Sequence, residues 1–124
     1  MHPAIIVGLG GAIGSIARWS IYELIPSNPQ TEIPWGTISV NLLGAFLLGI
    51  IMAISIIHSI NSDITLFFTM GILGGFTTMS TFGFETFTML ESNNTSSAII
   101  YILLNLLAPL MAWSGWKITH SLVA

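Results

Sequence analysis

Apolar residues in this chain do not alternate with polar ones. They gather into four long runs, at residues 3–24, 35–57, 64–90 and 97–119, separated by short polar stretches at 25–34, 58–63 and 91–96. A bilayer core about 30 Å thick requires about 20 residues of helix to cross it. Each run meets that length, so the pattern predicts four transmembrane helices. Pro3 suits the first turn of the first helix, and Asp63 is the expected N-cap of the third. Pro26, Pro29 and Pro34 mark the first connection as a loop. A chain of 124 residues has the length of one domain. The expectation is a single all-α integral membrane domain spanning residues 1–124.

The third run is not uniform. Gly74-Gly75-Phe76-Thr77-Thr78-Met79-Ser80-Thr81 sits near its middle. Adjacent glycines are poor helix formers, and four of the five residues from Thr77 to Thr81 carry hydroxyls. Unwound backbone at membrane depth is tolerated only where it is buried in protein or lines a wet cavity. A broken helix with exposed carbonyls is therefore expected here. The alternative is an intact helix that uses small residues as a packing surface.

Composition agrees with the membrane reading: 53% of residues are hydrophobic and only 6% are charged, against about 25% charged in a soluble domain. The absence of cysteine removes disulfides and thiolate metal sites. Arg18 and Lys117 are the only basic residues, so there is no footprint for nucleic acid. Residues 1–4 lack the basic start of a signal peptide, and the first run reads as a retained helix. Four helices place both termini and loop 58–63 on one side, with Lys117 near that side and Arg18 nearer the other. A tally of one against one gives the positive-inside rule nothing to act on. Either the chain inserts both ways and pairs as an antiparallel dimer, or the count is too small to carry information.

Polar groups inside a membrane are costly and are therefore functional candidates. Arg18, deep in the first helix, either snorkels to the interface or lines a vestibule that draws in anions. Asn41 either bonds a neighbouring helix or offers its amide to an ion. Thr77, Ser80, Thr81, Glu85 and Thr88 share one face of a regular helix, and Tyr101 and Asn105 are i, i+4 neighbours on the fourth. Two polar faces in a bundle either pack together or line a pore. Phe82 adjoins this stripe, where an aromatic ring commonly serves packing. Gly8-Leu9-Gly10 begins a dinucleotide pattern, but Ile13 replaces its third glycine. His2, His58 and His120 lack metal-ligand spacing. Asn93-Asn94-Thr95-Ser96 holds two overlapping glycosylation sequons, a motif of low specificity. No nucleophile–base pair marks an enzyme.

Three segments together resemble one family. They are Gly10-Gly11-Ala12-Ile13-Gly14-Ser15-Ile16-Ala17-Arg18-Trp19, the stretch Pro34-Trp35-Gly36-Thr37-Ile38-Ser39-Val40-Asn41-Leu42-Leu43-Gly44-Ala45-Phe46, and the stretch Gly71-Ile72-Leu73-Gly74-Gly75-Phe76-Thr77-Thr78-Met79-Ser80-Thr81-Phe82-Gly83-Phe84-Glu85. In this order they are similar to the helix signatures of the Fluc (CrcB-type) fluoride channels. The resemblance implies a dual-topology, antiparallel homodimer of four-helix subunits in the cell membrane. It implies two pores and passive export of fluoride that lowers its toxicity. It makes Asn41 a pore-lining amide, places Arg18 near a vestibule and gives Phe82 a ring edge facing the ion. Ser80 and Thr81 begin a hydroxyl track with Glu85, Tyr101 and Asn105 as companions. The main-chain carbonyls of Gly74 and Thr77 from both subunits are implied to hold a structural sodium ion at the dimer axis.

The residue chemistry suits these roles. Hydroxyls, an amide NH₂ and the mildly positive edge of an aromatic ring are weak donors, which let an anion both enter and leave. Carbonyl oxygens are hard ligands for a hard cation. Glu85 as a bare carboxylate would repel fluoride and is expected to be hydrogen-bonded within the track or partly protonated. Met79 stands where the family usually has Phe, and its flexible thioether offers no ring edge. It is still expected to line the pore. Two other readings stay open on sequence grounds. A small multidrug-type proton-coupled exporter has the same size but needs an acidic residue deep in the first helix, where this chain has none. A nontransporting assembly subunit would require a partner chain.

Overall fold

The computed structural model describes residues 1–123. Among them there are four helical spans and no strand, the first two continuous and the last two interrupted. Helix α1 covers Pro3–Leu24 and α2 covers Trp35–Ile57, both as the apolar pattern predicts. Pro3 enters the first turn of α1, where a missing N–H costs nothing, and the His2 side chain accepts from the Ala4 N–H at 3.0 Å.

The third span, Ser62–Glu91, comprises α3 (Ser62–Leu66), a π-helical stretch (Phe67–Leu73), α4 (Gly74–Phe76) and α5 (Ser80–Glu91). The expected break is present, but at Thr77–Met79 rather than at the glycines, which keep helical dihedrals on the N-terminal side. Asp63 is not the N-cap. Asn61 is, its side chain accepting from the Asp63 N–H at 2.7 Å. For the fourth span the apolar pattern predicts one helix over 97–119. It runs instead over Thr95–Val123 as α6 (Thr95–Asn105) and α7 (Ala108–Val123), with a turn at Leu106 and Leu107. The cause is Pro109, which has no N–H for the Asn105 carbonyl and whose ring crowds it.

Helix ends outside the apolar zone close on local bonds. After α2, Ser59 takes a left-handed φ of 50°, and the N–H groups of Ser59 and Ile60 donate back to the carbonyls of Ile56 and Ser55. Asn93 (φ 59°) does the same after α5, with Asn93 and Asn94 donating to Leu90 and Met89. Both are Schellman ends that satisfy otherwise orphaned carbonyls.

The spans pack as two same-direction pairs through small residues. A Cβ on Gly14 would overlap the backbone of Ile72, which lets α1 lie directly on the π stretch and α4. A Cβ on Gly49 would overlap Ala112, and one on Gly115 would overlap Phe46, which seats α7 on α2. Two apolar clusters fill the subunit: Ile38, Met89, Ala98 and Tyr101 in one, Val40, Leu73 and Phe76 in the other. Alternate residues of α2 thus feed both. Much of the outer apolar surface, including Ile16, Trp19, Phe84, Leu103 and Trp113, stays exposed on the single chain. In water such a surface would be a liability. In a bilayer it is the surface lipid or another apolar partner covers.

Candidate functional site

The break in the third span is held by side chains from other spans. Thr77 leaves the helix with an extended backbone (φ −83°, ψ 158°). Asn41 on α2 then treats Thr78 as a strand neighbour would. Its Oδ1 accepts from the Thr78 N–H at 2.8 Å, and its Nδ2 donates to the Thr78 carbonyl at 3.0 Å. The second hydrogen on that Nδ2 goes to Asn105 Oδ1 at 3.0 Å. Asn105 in turn donates to the Tyr101 carbonyl at 2.9 Å. On the C-terminal side, the Thr78 hydroxyl accepts from the Thr81 N–H at 3.2 Å and covers one of the orphan donors at the start of α5. On the other side, Arg18 Nε donates to the Gly75 carbonyl at 3.0 Å, a cation at a helix C-terminal end, where the dipole favours it.

Among the carbonyls these bonds leave over are those of Gly74 and Thr77. The Gly74 carbonyl would ordinarily receive the Thr78 N–H, which goes to Asn41 instead, and the Thr77 N–H goes to the Leu73 carbonyl. The Thr77 carbonyl would receive the Thr81 N–H, which goes to the Thr78 hydroxyl. Among the described residues neither carbonyl has a hydrogen-bond donor, and both residues border a hollow of about 380 Å³. Asn41, Thr78, Met79, Phe82 and Asn105 line it too. Met79 is 78% exposed and stands at its rim on the outer face of the chain.

One helical turn away lies a second polar layer. Thr37 donates to Glu85 Oε1 at 2.6 Å, and the Tyr101 hydroxyl donates to the same oxygen at 2.8 Å. Thr37 has a single hydroxyl hydrogen, so the 2.9 Å contact with Tyr22 must run from the Tyr22 hydroxyl to Thr37. The relay is directional: Tyr22 to Thr37 to Glu85, with Tyr101 closing from the other side. Glu85 is therefore hydrogen-bonded within a track. A smaller hollow of about 300 Å³ opens beside it, lined by Tyr22, Ile25, Pro26, Ser27, Thr81 and Glu85. Tyr101 is fully buried between the layers, its ring 5.3 Å from that of Phe82.

The structure thus gathers Gly74, Thr77, Met79, Phe82, Asn41 and Asn105 at one hollow and Thr81 and Glu85 at another, with Tyr101 between them. Arg18 borders neither and bonds the break from behind. Ser80 is exposed and borders neither. The single polar face expected from Thr77 to Thr88 is not continuous. The break takes Thr77 out of register, and the hydroxyls of Thr77 and Thr88 bond back to the carbonyls of Leu73 and Phe84. Sequence reasoning missed Tyr22 and Thr37 as site residues. A signal for both was present: Tyr22 follows Arg18 by four residues, and Thr37 precedes Asn41 by four, so each shares a helix face with a residue already singled out.

Four apolar spans, with unwound backbone and unpaired carbonyls held within one of them by polar side chains, define a multi-pass membrane protein. The sequence profile described as "CrcB-like protein, Camphor Resistance (CrcB)" matches residues 5–116. A relative from Thermus thermophilus, named fluoride-specific ion channel FluC, is 34% identical over 124 residues, covering 99% of each chain. One of the same name from Clostridium perfringens is 45% identical over 104 residues, 83% of this chain and 81% of its own. Another, from Citrifermentans bemidjiense, is 37% identical over 124 residues, 98% of this chain and all of its own. The chain belongs to the CrcB family of ion channels.

Proposed function

We propose that this protein is a fluoride-specific channel of the cell membrane, working as a pair of inverted copies with two pores and carrying fluoride passively out of the cytoplasm. The observation that carries the reading is the break at Thr77–Met79, clamped by Asn41 beside a hollow whose polar lining has no fixed positive charge. The full-length relatives named as fluoride-specific channels supply the ion. A fluoride ion is small and strongly hydrated. Donors that replace its water one at a time lower the barrier. Asn41, Phe82, Met79 and Asn105 form the inner part of the proposed pathway, and Thr81, Glu85 and Tyr101 form the outer track. Arg18 holds the Gly75 carbonyl from behind the break. Thr37 and Tyr101 saturate one oxygen of Glu85 with hydrogen bonds, which softens the repulsion a bare carboxylate would exert.

The carbonyls of Gly74 and Thr77 fit a sodium ion, because each lacks a donor and both residues border the same open hollow. An alkali cation bound there supplies positive charge to oxygens the break leaves unpaired. The exposed apolar outer face and the even spread of two basic residues are what an inverted second copy in a bilayer requires. The test is efflux from liposomes holding only the purified protein, followed with fluoride and chloride electrodes in parallel. Rapid fluoride release with flat chloride is the expected result. Equal release of both anions sinks the selectivity, and no release from folded protein sinks the channel reading.

A further inference from the structure

Both hydrogens of the Asn41 amide are engaged within the chain, one at the Thr78 carbonyl and one at Asn105 Oδ1, each at 3.0 Å. The backbone fixes which atom is which. The Thr78 N–H can only donate, so the Asn41 atom facing it is Oδ1. The Tyr101 carbonyl can only accept, so the Asn105 atom facing it is Nδ2 and its Oδ1 turns to Asn41. Asn41 therefore keeps no N–H in reserve for an anion.

The two bonds are not equivalent. The bond to Thr78 is half of a two-point clamp on the broken helix, and losing it would strand a backbone carbonyl at membrane depth. The bond to Asn105 is single, ends on a neutral side-chain oxygen, and lies between two residues that border the same hollow as Met79 and Phe82. Asn105 Oδ1 occupies the position that an anion accepting from Asn41 would take.

We propose that Asn105 Oδ1 is a built-in stand-in for the permeating anion, accepting the Asn41 N–H while the pathway is empty and releasing it when fluoride arrives. The inference rests on the fluoride reading above. It gives the site a property conduction needs. No donor is left bare between ions, and an arriving ion gains only the difference between two hydrogen bonds. Binding stays shallow and release stays fast. Without the competing oxygen, fluoride would bind Asn41 more tightly and leave more slowly.

The experiment measures fluoride flux against fluoride concentration in liposomes bearing the wild-type protein, Asn105→Leu or Asn105→Asp, both substitutions being close to Asn in size. Asn105→Leu is expected to lower the half-saturating fluoride concentration roughly five- to tenfold, the worth of one hydrogen bond, and to lower the maximal flux. Asn105→Asp, a stronger acceptor whose charge also repels fluoride, is expected to raise the half-saturating concentration. A merely structural role would reduce the amount of active protein without this split. Half-saturation within about twofold of wild type in Asn105→Leu, or a shift in the same direction in both variants, overturns the inference. Should Asn105→Leu not fold, Asn105→Ala, which also lacks the competing oxygen and adds no charge, takes its place, a fall in the half-saturating concentration upholding the inference and an unchanged or higher value overturning it. A wild-type protein that carries no fluoride overturns the channel reading and this inference with it. Wild-type flux with unmoved half-saturation in the variants overturns this inference only.

Discussion

The third and fourth spans are each interrupted partway, one at Thr77–Met79 and the other at Leu106 and Leu107. In the fourth span the cause is covalent. Pro109 deprives the Asn105 carbonyl of its donor, and the chain is back in a helix two residues after α6 ends. In the third span no proline is present. The Thr78 peptide leaves the helix because Asn41 satisfies both its N–H and its carbonyl, while Arg18 and the Thr78 hydroxyl take up groups on either side. One interruption needs no partner to exist. The other exists only while residues from two other spans hold it, and the Gly74 and Thr77 residues whose carbonyls it frees border the hollow of about 380 Å³.

The sharpest way to break that contrast is Asn41→Leu, which keeps the volume and removes the clamp. The unpaired Thr78 groups should cost on the order of 3–5 kcal/mol. The expected outcome is loss of the folded, monodisperse protein in detergent and of all fluoride flux; a stable and conducting Asn41→Leu would show that the break holds itself. Next comes Arg18→Leu, which strips a charged donor from the Gly75 carbonyl. About 1.5–3 kcal/mol of stability should be lost, read as a lower midpoint of thermal unfolding, and unchanged unfolding would remove Arg18 from the account. Tyr22→Phe deletes only the head of the relay into Thr37 and Glu85. Its cost should be about 0.5–1 kcal/mol, with fluoride flux reduced modestly and selectivity kept; abolished flux would promote Tyr22 to an essential pathway residue. The smallest effect belongs to Pro109→Ala. It restores a helical hydrogen bond, so stability should be unchanged or raised by less than about 1 kcal/mol, and flux should stay within about twofold. A dead Pro109→Ala channel would mean that the second interruption is as functional as the first.

The two interruptions are also unequally legible. The fourth lies open in the sequence at Pro109, yet the apolar pattern predicts a continuous helix there, because membrane helices absorb prolines without obligatory breaks. The third is expected from its glycines and hydroxyls, but its exact place is not. Gly74 keeps α-helical dihedrals, and Gly75 lies tight against Gly11 and Ser15 of α1. Packing, not propensity, keeps the glycines helical and moves the break to Thr77. Asn41, Glu85, Tyr101 and Asn105 stand out because polar groups are conspicuous in apolar runs. Tyr22 and Thr37 do not, since each sits near a helix end where a hydroxyl is ordinary.

The sequence by itself determined the four spans and the apolar outer surface, because a bilayer demands long apolar runs whatever packs beside them. It also supplied the family, through motifs whose order spans nearly the whole chain. The tertiary structure alone decided which peptide unwinds, which carbonyls lose their donors and where each amide hydrogen points. Those outcomes depend on pairs such as Asn41 with Thr78 and Thr37 with Glu85. Such partners lie on different spans and share no local pattern, so their bonds exist only once close contacts such as Gly14 on Ile72 have set the helices at a fixed distance and rotation.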